Sequence, residues 1–222
     1  TTLLSFRTKE REELASQNLT MDSNLKHRVL VTGFGPFKNH AINASWEAVK
    51  ELEKLWANSE EVKDVELITK EIPVSYNDVC ELAPRLWECY DPIVVLHVGV
   101  SSIADDLTIE QRACSKGYVK PDIYGECPNE SNVSPIITET SFDVNNICDA
   151  VNERTAKTGC KACISQDAGK FLCEYLFYQS LSIDPRRVLF VHVPIRDKYP
   201  SDQTAKGLYD ILYNMIEHAK NN

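Results

Sequence analysis

The 222-residue chain has no long hydrophobic run. Its longest apolar stretch, Pro92 to Val100, has His97 inside it and falls well short of the ~20 residues that cross a bilayer. Positive charge is also in short supply, since 24 Lys and Arg face 33 Asp and Glu, which leaves a net charge of −9. Such a chain repels phosphate backbones and anionic membrane surfaces. We therefore expect neither a nucleic acid nor a membrane as its partner.

A recognisable secretion signal is missing as well. Such a signal combines a positively charged segment with an apolar segment of ~7 to 15 residues, and Thr1 to Thr20 contains neither. The eight cysteines are therefore expected to be free thiols in a reducing compartment, not an extracellular disulfide set. The sequence thus predicts a cytoplasmic location.

The composition is that of an ordinary globular protein. Hydrophobic residues make up 43% and charged residues 26% of the chain, which excludes collagen-like, low-complexity and wholly disordered proteins. The length suits a single large domain. Residues 1–26 are polar with scattered apolar positions and are predicted to form an N-terminal tail or loosely attached segment. Residues 27–222 are predicted to form one α/β domain.

Beyond residue 26, short apolar runs alternate with segments whose apolar residues recur at helical spacing. The middle of the chain, Ser101 to Pro135, is rich in turn-forming residues and is predicted to be irregular or to form short hairpins. Alternating strands and helices predict a three-layer α/β/α fold with a mostly parallel central sheet and helices on both faces. The predicted strands are His27–Thr32, Val65–Ile72, Pro92–Val100, Lys161–Ser165 and Arg187–Val193, and the predicted helices are Ala44–Ala57, Asn77–Tyr90, Asp143–Thr158, Lys170–Ser182 and Asp202–Lys220.

Ligands of open α/β sheets bind beyond the carboxyl ends of the strands, so residues that follow the apolar runs are the candidates for chemistry. Cys173 lies in the opening turns of a predicted helix, where backbone N–H groups and the helix dipole favour a thiolate. His192 ends the next predicted strand and is expected at the same edge of the sheet. A cysteine and a histidine brought together there would form a nucleophile and its general base.

Three other patterns have simpler explanations. Gly33 and Gly35 follow a strand as in a dinucleotide-binding loop, but Lys38 replaces the third glycine and the pattern is weak. Cys160 and Cys163 have the spacing of a redox or zinc motif, yet they straddle a helix end and a strand start and no second pair completes a metal site. His97 is expected to be a hydrogen-bonded core histidine.

Seven segments in a fixed order give a specific resemblance that runs from about Val29 to Met215. The chain resembles pyroglutamyl-peptidase I, the pyrrolidone carboxyl peptidase family of cysteine peptidases, and in particular its animal-type branch, which has SQDAG where bacterial members have a Thr-Ala-Gly form. The segments are GFGPF (33–37), NASW (43–46), IPVSY (72–76), HVGV (97–100), TIE (108–110), SQDAGKFLC (165–173) and FVHVP (190–194).

The resemblance implies an activity and a catalytic triad. Cys173 would be the nucleophile, His192 the general base and later acid, and Glu110 the carboxylate that orients the imidazole. The enzyme would remove N-terminal pyroglutamate from peptides through an acyl-enzyme, without a metal or other cofactor. Its partners would be pyroglutamyl peptides, and the chain would be a monomer or a weak homo-oligomer.

The same resemblance implies a lactam site. Phe34 and Phe37 match the family's aromatic clamp for the ring, and backbone groups near Leu172 would bind its polar atoms. Two positions depart from the bacterial pattern: Val100 replaces a Gln, and Lys120 stands near the place of an Arg that assists at the oxyanion. These departures leave an alternative open, a catalytically impaired homologue that acts as a lactam-binding, peptide-binding or scaffold protein.

Overall fold

A computed structural model describes residues 27–37, 41–129 and 134–221, so the tail predicted at residues 1–26 lies outside the described residues. The described chain alternates strands and helices. The strands are β1 (His27–Phe34), β2 (Val65–Ile72), β3 (Val94–Val100), β4 (Leu107–Glu110), β5 (Arg112–Cys114), β6 (Ile137–Glu139), β7 (Ala162–Ser165) and β8 (Val188–Val193), and the helices are α1 (Ala44–Ala57), α2 (Tyr76–Tyr90), α3 (Val144–Glu153), α4 (Thr155–Thr158), α5 (Leu172–Ile183) and α6 (Ser201–Lys220).

Six strands form the central sheet in the order β2-β1-β3-β8-β4-β7. The pairs β1–β2, β1–β3, β3–β8 and β4–β7 are parallel, whereas β4 and β8 are antiparallel. Strands β5 and β6 form a separate antiparallel pair. The mostly parallel sheet of the sequence prediction is therefore confirmed.

Hydrophobic clusters cover both faces of the sheet. One cluster contains the inward residues of α1, α3 and α6, and the other contains those of α2 and α5. Period-2 alternation explains this division: in β1, Val29 and Val31 belong to the first cluster and Leu30 to the second. This arrangement confirms the three-layer α/β/α prediction.

Two local predictions need correction. The stretch Ser101 to Pro135, predicted to be irregular or hairpin-like, contributes β4 to the central sheet. Four residues are too short a run to stand out as a strand by periodicity. The helix predicted from Asp143 to Thr158 is divided into α3 and α4, and Gly159 closes α4 with a left-handed φ of 77°.

The direction of β7 was also predicted wrongly. We expected the residues after β7 and after β8 to meet at one carboxyl edge, but β7 is parallel to β4 and β4 is antiparallel to β8. Strand β7 therefore runs opposite to β8. Residues 166–171 then connect β7 to α5.

None of the helices in the described part of the chain has both the length and the apolar character that crossing a membrane requires.

Candidate active site

Strand periodicity places the candidate residues on one face of the sheet. In β8, Val191 packs in the cluster under α1 and α6, so His192 points to the opposite face. In β4, Ile109 packs in the same cluster, so Glu110 also points to the opposite face. That face is covered by α5, which carries Cys173. The sheet and α5 thus bring the three predicted triad residues to one place.

A buried hydrogen bond joins two of these residues. The Nδ1 atom of His192 lies 2.7 Å from Oε1 of Glu110. Glu110 is 2% exposed and His192 8% exposed, so little water competes for this bond. The second carboxylate oxygen of Glu110, Oε2, is buried and has no hydrogen-bond partner among the described residues. The Glu110 carboxylate therefore acts chiefly on the His192 imidazole.

Charged neighbours set the protonation of His192. Burial of the ring opposes its positive charge, but the hydrogen-bonded Cys173 side chain and the Glu110 carboxylate outweigh burial and raise the pKa of His192 to about 10. The site therefore favours an imidazolium that contacts the Glu110 carboxylate on one side and the Cys173 side chain on the other. A histidine in this position can take the proton of a neighbouring thiol, which is what a cysteine nucleophile needs.

Cys173 is the second residue of α5. The preceding Phe171 is the N-cap of the helix, in an extended conformation, and its side chain makes no capping hydrogen bond. The N–H groups of the first turn are thus not occupied by a side-chain cap, and the positive end of the helix dipole favours a thiolate or an oxyanion here.

A compact turn leads the chain into α5. Ser165 Oγ accepts a hydrogen bond from the N–H of Asp167 at 3.1 Å, and Asp167 Oδ1 accepts one from the N–H of Gly169 at 3.0 Å. Gly169 has a φ of 80°, which residues with a Cβ rarely adopt. The SQDAG segment is therefore a built turn, and it fixes where the helix of Cys173 begins.

Gly99 leaves room for the thiol. A Cβ atom at this position would lie 2.8 Å from Sγ of Cys173 and 2.8 Å from the ring of Phe190. Real Cβ atoms do not approach other atoms this closely, so only glycine lets the thiol rest on β3 beside His192, to which Gly99 is paired in register. The glycine of HVGV is thus a steric requirement of the site.

Gly99→Ala should displace the Cys173 thiol from His192. With a pyroglutamyl amide, the substrate class that the resemblance implies, we expect kcat to fall by roughly 10- to 100-fold, because misplacing reacting groups by about 1 Å is costly. Steady-state kinetics and thermal unfolding would measure the effect. Gly207→Ala is the control for a crowded glycine, since its Cβ would crowd Leu107 and Cys160, which pack on the face of the sheet opposite to Cys173. A normal kcat for Gly99→Ala would contradict this assignment.

Aromatic side chains gather in the hydrophobic cluster against which Cys173 packs. Phe34 and Tyr76 are buried, while Phe37, Phe171 and Cys173 are partly buried at the edge of the same hydrophobic cluster. The rings of Tyr76 and Phe171 meet edge to face with centroids 6.1 Å apart. An uncharged planar ring suits such a surface. The structure therefore places both predicted clamp residues in the hydrophobic cluster that contains Cys173.

Sequence reasoning missed the residues that hold the Phe34 loop. Ser45 Oγ accepts a hydrogen bond from the N–H of Phe34 at 3.0 Å, and Asn43 Nδ2 donates to the carbonyl oxygen of Gly35 at 2.9 Å. Asn43 also caps α1 by accepting from the N–H of Ser45. The NASW segment was the available signal, because it joins a helix cap to the GFGPF loop.

The other predicted binding residues have different surroundings. Leu172 is 1% exposed and belongs to the same hydrophobic cluster as Phe34. Val100 ends β3 opposite Val193 and is half-buried. Their roles in lactam binding remain predictions.

Lys120 is exposed, and its backbone carbonyl accepts a hydrogen bond from the Tyr76 hydroxyl at 3.0 Å. The neighbouring Asp122, which sequence reasoning did not single out, accepts from the N–H groups of Tyr76, Tyr124 and Glu126. This loop is therefore fastened beside the aromatic cluster. Oxyanion assistance by the Lys120 side chain stays a prediction.

The structure also shows the surroundings of His97 and of the Cys160 and Cys163 pair. His97 is buried between Thr32 Oγ1, at 2.7 Å, and Ser180 Oγ, at 2.8 Å, as expected for a core histidine. Burial lowers its pKa to about 3, so the ring is neutral. Cys160 is buried and Cys163 exposed, and both are free thiols.

Comparisons with known proteins identify the family of the chain. Residues 27–220 match the family model described as pyroglutamyl peptidase. The chain is 41% identical over 192 residues to pyroglutamyl-peptidase 1 of Rattus norvegicus, which covers 85% of this chain and 89% of the relative. It is 31% identical over 172 residues to the pyroglutamyl-peptidase 1-like protein of Homo sapiens, which covers 75% of this chain and 84% of the relative.

Solved structures share the fold. The crystal structure of pyroglutamyl peptidase I from Bacillus amyloliquefaciens matches with a TM-score of 0.73 at 24% identity and covers 87% of this chain and 98% of its own. Pyrrolidone carboxyl peptidase from Thermococcus litoralis matches with a TM-score of 0.74 at 20% identity and covers 88% of this chain and 96% of its own. Taken with the matched family model, these findings show that the chain belongs to the pyroglutamyl peptidase family, a family of cysteine peptidases.

Proposed function

We propose that this protein hydrolyses the bond that follows an N-terminal pyroglutamyl residue, with Cys173, His192 and Glu110 as its triad. The observation that carries the proposal is the buried 2.7 Å contact between His192 and Glu110, next to a Cys173 side chain hydrogen-bonded to the same imidazole. Family membership and the names of the relatives support the substrate class.

In this proposal the reaction starts from a Cys173 thiolate paired with the His192 imidazolium. The Cys173 thiolate attacks the acyl carbon of the pyroglutamyl residue, and the N–H groups at the start of α5 stabilise the oxyanion of the tetrahedral intermediate. His192 gives its proton to the leaving amine, which departs as the shortened peptide. The neutral imidazole then takes a proton from water, and the resulting hydroxide cleaves the thioester and releases pyroglutamate. Glu110 keeps the imidazole oriented throughout.

The lactam ring would lie against Phe34 and Phe37. Both belong, as a buried and a partly buried member, to the hydrophobic cluster in which Cys173 also lies. Leu172 and Val100 would line the same slot through their backbone groups and shape, and Lys120 would add positive charge near the oxyanion. Selectivity would then depend on the absence of charge on the ring and on its flat shape.

Turnover of a chromogenic pyroglutamyl anilide by the purified protein tests the proposed function. We expect hydrolysis that requires a reducing agent and is unaffected by a chelator, because the nucleophile is a thiol and the proposal uses no metal. Binding of the anilide without turnover would instead support the alternative of an impaired homologue that binds lactams or peptides. Loss of turnover on adding the chelator would contradict the proposed chemistry.

Discrimination against uncyclised substrates is a further prediction. An N-terminal glutamine carries an ammonium group that an apolar aromatic slot would have to strip of water without a partner. At about 3 kcal/mol, this cost lowers kcat/KM by a factor of ~10² or more. Parallel assays of glutaminyl and pyroglutamyl anilides measure the ratio. Equal kcat/KM values would overturn the assignment of the Phe34 and Phe37 slot.

A cytoplasmic location is proposed as well. All eight cysteines lie within the described residues, and all are free thiols, which suits a reducing compartment. The expectation of a monomer or weak homo-oligomer, and that of a single domain preceded by a tail, remain predictions.

A further inference from the structure

A second carboxylate is buried one residue after Cys173 in α5. Glu174 follows Cys173 in α5 and is 3% exposed. Its Oε1 atom accepts two hydrogen bonds, one from the N–H of Cys114 at 2.9 Å and one from Nζ of Lys170 at 2.9 Å. Its Oε2 atom is buried and has no hydrogen-bond partner among the described residues. Burying a carboxylate is costly, so this one depends strongly on its two donors.

The first donor belongs to the segment that continues from Glu110. Strand β5 begins two residues after Glu110 and ends at Cys114. The hydroxyl of Tyr118 donates back to the carbonyl oxygen of Cys114, so the chain after β5 folds over the same point. Through Cys114, Glu174 therefore ties the helix of the nucleophile to the strand segment of the orienting carboxylate.

Lys170, the second donor, also contacts the loop that follows β5. A Cβ atom on Gly117 would lie 3.1 Å from Cδ of Lys170, which shows that the Lys170 stem passes over the backbone of Gly117. The ammonium lies 5.9 Å from the centroid of the Tyr118 ring. Lys170 thus contacts the loop after β5 with its stem and Glu174 with its charge.

We propose that Glu174 and Lys170 are positioning residues of the triad, which hold Cys173 in register with His192 and Glu110 and keep the carboxylate neutralised beside the thiolate. The triad would then be held at two points. The Glu110–His192 hydrogen bond joins β4 to β8, and the Glu174–Cys114 hydrogen bond joins β5 to α5. This inference rests on the proposed function, since it assigns a role within the same triad.

The charges around Glu174 explain why Lys170 is needed. Burial raises the pKa of Glu174 above its ordinary value, although Lys170 and the N–H of Cys114 act in the opposite direction. Asp167, in the turn before α5, adds a second negative charge. Burial and the Glu174 charge raise the pKa of the Tyr118 hydroxyl. A thiolate at Cys173, the preceding residue of α5, would be a further negative charge at the start of the helix. Lys170 is therefore the cation that offsets like-charge repulsion at the nucleophile.

Four variants test the proposal: Glu174→Leu, Glu174→Gln, Lys170→Met and the double variant Lys170→Met/Glu174→Gln. The first readout is the rate of iodoacetamide alkylation of Cys173 as a function of pH, which needs no substrate, and the second is kcat against KM. Lys50→Met is the control, because it removes a surface lysine that pairs with Glu47 three residues away.

We expect Glu174→Leu to lower kcat by roughly tenfold or more with little change in KM, because the helix start loses its anchor. Glu174→Gln keeps an acceptor for Cys114 and should stay within about threefold of the parent. Lys170→Met should move the acid limb of the alkylation and kcat/KM profiles to higher pH, since an uncompensated carboxylate disfavours the thiolate. In the double variant the acid limb should return to the pH of the parent protein. In Lys50→Met it should not move.

An unchanged kcat in folded Glu174→Leu, or an unmoved acid limb in Lys170→Met, would overturn the proposal. Thermal unfolding of each variant identifies any that fail to fold. If Glu174→Leu does not fold, the comparison of Lys170→Met with the double variant decides whether the proposal holds. If the parent protein hydrolyses no pyroglutamyl amide, the proposed function fails. The alkylation profiles would still show whether Glu174 and Lys170 control the thiol.

Discussion

Cys173→Ala is expected to lower kcat for pyroglutamyl anilide hydrolysis by ~10⁵-fold or more. Alanine keeps the helix start and the hydrophobic contacts but removes the only atom proposed to form a bond with the substrate. Binding of the product pyroglutamate, measured by calorimetry, should change little, because the lactam slot is left in place. Cys89→Ala is the matched control, since it removes an exposed thiol on α2 and should leave kcat unchanged.

Chemical labelling tests the same assignment without mutation. Brief iodoacetamide treatment near pH 6, followed by peptide mapping, should modify Cys173 first among the eight cysteines, because the His192 imidazolium favours its thiolate. Loss of activity should follow the extent of Cys173 labelling, and pyroglutamate should protect it. Equal labelling of all eight thiols, or earliest labelling of Cys160 and Cys163, would contradict the assignment of Cys173 as the nucleophile. It would favour a thiol-redox role instead.

Glu110→Gln is expected to lower kcat by roughly 10³-fold or more. The amide is nearly isosteric with the carboxylate and fits the same buried site, but it does not carry the charge that stabilises the imidazolium. Its NH₂ group can also face His192 Nδ1 and favour the wrong tautomer. Glu88→Gln, an exposed charge change on α2, is the control for the loss of one negative charge.

The pH dependence of Glu110→Gln follows from the direction in which Glu110 shifts the pKa of His192. The pKa of His192 is raised to about 10, in part by Glu110, so the imidazolium persists up to that region in the parent protein. Without the Glu110 charge the pKa of His192 falls, and the proton is lost at lower pH. The alkaline limb of kcat/KM should therefore move to lower pH in Glu110→Gln. An alkaline limb that stays in place would show that Glu110 does not act on His192.

The same group links pH to stability. A histidine whose folded pKa lies above its unfolded value of about 6.5 stabilises the fold fully below that pH and loses this contribution as the pH rises through the folded pKa. His192 should thus contribute stability that fades between about pH 6.5 and about pH 10.

Local pattern alone determined most of the secondary structure. Helix α1 and strand β2 lie within the predicted bounds, because Trp46, Val49 and Leu52 recur at helical spacing and Pro73 ends the β-branched run. The positions of Cys173 at a helix start and His192 near a strand end were likewise readable, since both depend on short-range signals.

The tertiary structure decided how these parts meet. The sequence pattern predicts that Cys173 reaches His192 because their strands end at one edge, but the antiparallel pairing of β4 with β8 reverses β7. Strand pairing depends on long-range contacts that periodicity does not encode. Glu110 therefore appeared in an irregular stretch, although it ends a strand of the central sheet.

The tertiary structure alone also decided which residues far apart in the sequence come into contact. The requirement for glycine at position 99 comes from the thiol of Cys173, which is 74 positions further along the sequence. The carboxylate of Glu174 matters because Cys114 and Lys170 converge on one of its oxygens. Sequence spacing determines which residues can share an element, whereas packing of α5 on the sheet determines which atoms touch.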